Sequence, residues 1–136
     1  MLDVKKFEKL LEDGQRKRAD YDRKIAKLRA EYEKHGAAVN ELQAEKAQLQ
    51  RKLVQFDRGD LPLSERELAQ VGDRLRHLTG LIAKANQPWS EADQALRKAE
   101  DEARGALAQM RSETLQQWLT ETRAADAEYT AAWRVL

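Results

Sequence analysis

A seven-residue repeat of apolar positions runs without a skip from Val4 to Phe56, and it limits the possible folds more than any other feature. Position a holds Val4, Leu11, Arg18, Ile25, Tyr32, Val39, Lys46 and Leu53, and position d holds Phe7, Gly14, Tyr21, Leu28, His35, Leu42, Leu49 and Phe56. Twelve of these sixteen side chains are apolar or aromatic, and a repeat of more than seven heptads is typical of a coiled-coil helix. We therefore predict a first helix over residues 3–57, about 80 Å long.

The segment 57–63 predicts the end of this helix and a turn over 58–63. Gly59 is suited to the positive φ of a helix C-cap, and Pro62 cannot continue the hydrogen-bond ladder. Ser64 and Glu67 then have the spacing of a capping box, which predicts a second helix over residues 64–86. Its apolar stripe consists of Leu68, Val71, Leu75, Leu78, Ile82 and Ala85.

Pro88 interrupts the pattern a second time. A proline inside a helix removes one hydrogen bond and costs about 3 kcal/mol, so we expect either a break over 87–89 or a kink within one arm. A third helix is predicted over 90–134, with a less regular stripe that includes a step of five residues from Met110 to Leu115. The predicted fold is all-α: a single elongated domain, 1–136, built as a long antiparallel helical hairpin or coiled coil with a C-terminal amphipathic end.

A hairpin about the 57–63 turn places opposite each other residues whose numbers sum to about 121. Tyr32 then faces Trp89, Val4 faces Gln117, and Arg18 faces Ala103 beside Glu102. The predicted seam comprises Ile25, Leu28, Tyr32, Val39, Leu42, Leu49, Leu53, Phe56, Leu68, Leu75, Leu78 and Ile82. The same heptads also suit a parallel dimer or trimer, so the oligomeric state stays open.

In this register residues 118–136 have no partner within the chain. Large aromatic side chains dominate interface energetics, so an amphipathic end with exposed Trp and Tyr is expected to bind a protein groove or other copies of the chain. The predicted partner-binding residues are Trp118, Leu119, Tyr129, Trp133 and Leu136. The alternative is that this segment folds back as a short cap on the hairpin.

Composition excludes several classes of protein. The chain has 25 basic and 24 acidic residues, a formal net charge of +1 and no cysteine, so disulfides, thiolate metal sites and cysteine nucleophiles are absent. It contains neither an apolar run that would span a membrane nor the apolar stretch of a signal peptide. We expect a cytoplasmic or virion-associated protein that is not secreted through a signal peptide.

The sequence offers no arrangement of catalytic residues. His35 and Glu31 lie one helical turn apart, but two ligands are too few for a metal site, and a polar seam residue is the better interpretation of His35. No phosphate-binding loop and no nucleophile motif occurs. We therefore predict a protein that is not an enzyme and that has no metal and no cofactor.

The stretch Arg16–Arg29 carries seven basic and two acidic residues. It leaves open an alternative function as a nucleic-acid accessory protein that contacts phosphates. A solvated helix face is favoured, because the opposed arm offers acidic residues to balance these charges: Glu91, Asp93, Glu100, Asp101 and Glu102.

The general plan is a long heptad helix, a Pro/Gly turn and a return arm with aromatic residues. In this plan the chain resembles the small bacterial export-stalk proteins of the flagellar and type III secretion systems, which are antiparallel two-helix coiled coils. The resemblance covers the architecture only and assigns no residue a role. Coiled-coil components of phage particles fit the same features. The predicted function is that of a structural or adaptor protein in a larger assembly, with protein partners or self-association.

Overall fold

The computed structural model describes residues 4–135, which form two helices, α1 (Val4–Asp57) and α2 (Glu65–Val135). The two helices pack against each other, and the prediction of an all-helical protein is confirmed. Leu136, one of the predicted partner-binding residues, lies outside the described residues, as do positions 1–3.

The turn between the helices is built from the residues that predicted it. Gly59 has a φ of 80°, its N–H donates to the carbonyl of Phe56 at 2.9 Å, and the N–H of Asp60 donates to the carbonyl of Gln55 at 2.9 Å. This pair of bonds is the Schellman arrangement, which satisfies carbonyls at the end of α1. At the start of α2, the N–H of Glu67 donates to Ser64 Oγ at 3.2 Å, so Ser64 caps the helix.

One compact unit consists of residues 27–96, in which α1 and α2 run antiparallel. The rings of Tyr32 and Trp89 have centroids 6.0 Å apart, and Arg74 Nε donates to Glu45 Oε1 at 2.7 Å. Val39 and Leu78 are fully buried in this unit. The contact between Tyr32 and Trp89 is the one that the hairpin register predicts.

The other unit consists of the described residues of 1–26 and 97–136, and its helices are also antiparallel. Lys24 Nζ lies 3.9 Å from Glu102 Oε2, and Lys6 Nζ lies 3.6 Å from Glu121 Oε1. The numbers of these pairs sum to 126 and 127, five or six more than predicted. Glu102 thus pairs with Lys24, whereas the predicted register places it near Arg18. α1 lies beside α2 past Gln117 as far as Glu121.

The burial of the heptad positions follows the repeat over most of α1. All eight d positions and five of the eight a positions are buried or half-buried, and the exposed ones are Val4, Leu11 and Arg18. The twelve residues named above as the seam are all buried or half-buried.

Of the two alternatives at Pro88, the break over 87–89 is not observed, because Pro88 lies inside a continuous α2. A helix that continues through Pro88 keeps Ala85, Trp89 and Ala92 half-buried and Leu96 buried, at alternating steps of four and three. A break would remove half of this stripe from its packing, and that loss outweighs one missing hydrogen bond. Separate helices over 64–86 and 90–134 therefore do not form.

Candidate partner-binding surface

A groove of about 730 Å³ lies between α1 and α2 within the unit of residues 1–26 and 97–136. Its walls include Val4 and Leu11 from α1 and Leu115 and Trp118 from α2. These four side chains are 61%, 57%, 57% and 48% exposed, respectively. We call this feature the terminal groove.

The terminal groove exists because α1 presents only part of its heptad face to α2 in this unit. Phe7, Leu10 and Gly14 are half-buried, whereas Val4 and Leu11 at position a are exposed. The charged residues that line the groove are Arg18 and Arg111, and no carboxylate of the described residues lines it. The result is an open apolar trough with basic side chains.

Four of the five predicted partner-binding residues are exposed on α2. Trp118 lines the terminal groove, Leu119 is 39% exposed, and Tyr129 and Trp133 are 65% and 61% exposed. The rings of Tyr129 and Trp133 meet edge to face with centroids 6.1 Å apart. Exposed aromatic rings on a helix are the usual anchors of a helix-in-groove interface.

The fully exposed end of α2 begins at residue 126, whereas the sequence predicted a segment without a partner from residue 118 onward. Glu121, Thr122 and Ala125 are half-buried, and every residue of 126–134 is exposed. The alternative in which the segment folds back as a separate cap is not observed, since α2 continues to Val135.

Sequence reasoning missed three apolar residues of this surface: Val4, Leu11 and Leu115. Val4 and Leu11 belong to the repeat and were assigned to the coiled-coil interface. Two signals in the sequence argued against this assignment. The next position a after Leu11 is the charged Arg18, and the apolar stripe of α2 takes a step of five residues from Met110 to Leu115. Both signals fall on residues that line the terminal groove.

Other clusters of polar residues are surface pairs. His35 Nε2 lies 3.7 Å from Glu31 Oε2, and no group of three metal-ligating side chains occurs among residues 4–135. In the basic stretch, Lys24 pairs with Glu102, and Arg23 hydrogen-bonds Asp20 one turn earlier.

Glu45 is the one carboxylate in the described part of the chain whose pKa is clearly shifted, and it is lowered. The hydrogen bond from Arg74 is the main cause. Desolvation opposes it, and the charges of Arg74 and His77 add smaller lowering effects. Arg74 holds Glu45 through two bonds, from Nε at 2.7 Å and from Nη2 at 2.9 Å. This two-point pairing fixes one register contact between the helices of unit 27–96.

This pairing predicts a pH dependence of stability. Because the pKa of Glu45 is lower in the folded protein, its stabilising contribution is complete above the ordinary glutamate pKa and is lost as pH falls through the folded pKa. We expect Glu45→Gln to lower the Tm at neutral pH and to match the wild-type Tm in acid. Thermal melts across pH measure this difference, with Glu41→Gln, one turn earlier, as the control. A Tm difference that stays constant into acid would contradict the assignment.

No protein-family model, no curated protein and no solved structure matches this chain. Within residues 4–135, neither helix contains a stretch that is both long and apolar enough to cross a membrane.

Proposed function

We propose that this protein is a non-enzymatic structural or adaptor component of a larger assembly, such as a phage particle or a secretion stalk. In this role the paired helices hold the terminal groove and the aromatic end of α2 in position for a protein partner. We propose a cytoplasmic or virion-associated location for it.

One observation carries the proposal: the large exposed apolar side chains of unit 1–26 and 97–136 are grouped. Val4, Leu11, Leu115 and Trp118 share one groove, and Tyr129 and Trp133 follow on the same helix. Single exposed apolar residues are normal on a soluble protein, but contiguous patches with polar rims mark interaction sites. The grouping therefore supports a binding surface better than a solvated helix face.

The nucleic-acid alternative has less support. Lys24 forms an ion pair with Glu102 of α2, and Glu100 and Asp101 belong to the same unit. Carboxylates therefore lie close to part of the basic stretch Arg16–Arg29. A protein that binds phosphates needs basic residues whose counterions are released on binding, and neighbouring carboxylates oppose this effect.

The test is capture of partners by immobilised full-length protein from extracts of its host. We expect Trp118→Ala with Trp133→Ala to abolish retention of partners, because truncating such anchors costs about 2 kcal/mol or more each. Val54→Ala is the control, since Val54 is 47% exposed but belongs to the other unit. Helix content by circular dichroism should stay nearly unchanged, because Trp118 and Trp133 are 48% and 61% exposed. A loss of helix content in the double variant, or full retention of partners, would contradict the proposal.

A further inference from the structure

We draw no further inference here: the strongest candidate, the terminal groove between α1 and α2 in the unit of residues 1–26 and 97–136, belongs to the surface already described, and nothing in the structure shows what covers its exposed apolar side chains.

Discussion

Replacing Leu78 by alanine is expected to lower the free energy of unfolding by about 2–5 kcal/mol, the range found for fully buried leucines. Leu78 and Val39 are the two fully buried large side chains among the described residues. Since the rest of the seam is half-buried, the protein has few other sites that contribute as much. Urea denaturation followed by far-UV circular dichroism measures the change.

A matched pair of valines separates burial from residue type. Val39 is fully buried and Val54 is 47% exposed, and both lie on α1 within unit 27–96. We expect Val39→Ala to destabilise clearly and Val54→Ala to change the free energy of unfolding by less than about 0.5 kcal/mol. Equal effects at the two positions would show that the packing described for this unit is wrong.

The heptad pattern was sufficient to predict much of this architecture. In α1 the apolar residues recur at positions a and d, and thirteen of these sixteen positions are buried or half-buried. Local chemistry placed the turn equally well, because a glycine with positive φ and a serine cap are properties of single residues. The end of α1 at Asp57 and the start of α2 at Glu65 therefore agree closely with the predicted 57 and 64.

The sequence could not predict that α2 continues through Pro88, nor the register of the unit of residues 1–26 and 97–136. Both depend on packing contacts between residues that are far apart in the sequence. The cost of Pro88 is local, but the packing of Trp89 against Tyr32 that offsets it appears only when both helices are in place. The register sum is 121 at Tyr32 and Trp89 but 127 at Lys6 and Glu121. A constant sum assumes that both helices advance equally, and nothing in the sequence fixes that.

The candidate site was predicted in part. Trp118, Leu119, Tyr129 and Trp133 are exposed, as an aromatic end without a partner would be. The groove beside them was not predicted, since it depends on the exposure of Val4 and Leu11. Which face of α2 approaches α1 is information that the repeat of α1 does not carry.

Gly36 is the one glycine of the described helices that makes room for a neighbouring side chain. A Cβ atom at this position would lie 3.0 Å from Trp89 Nε1 and 3.3 Å from Cε2, whereas a Cβ at Gly14, Gly72, Gly80 or Gly105 would meet nothing within 4 Å. Trp89 Nε1 is buried and finds no acceptor among residues 4–135. The indole of Trp89 thus packs closely on Gly36 and makes no hydrogen bond to the described residues through Nε1.

This fit predicts that the effect of Gly36→Ala changes sign with the residue at position 89. Alanine gains about 1 kcal/mol over glycine inside a helix, but forcing a methyl group against a buried ring costs about 2 kcal/mol. We therefore expect Gly36→Ala to destabilise the wild type by about 1 kcal/mol and to stabilise a Trp89→Leu background by a similar amount. Denaturant titrations of the four chains measure this cycle.

Gly80→Ala provides the control for helix propensity. It lies exposed on α2 in the same unit, and a Cβ there meets no neighbour. We expect it to stabilise both backgrounds equally, by about 0.5–1 kcal/mol, because only the backbone entropy changes. If Gly36→Ala stabilises the wild type as Gly80→Ala does, the indole of Trp89 does not rest on Gly36.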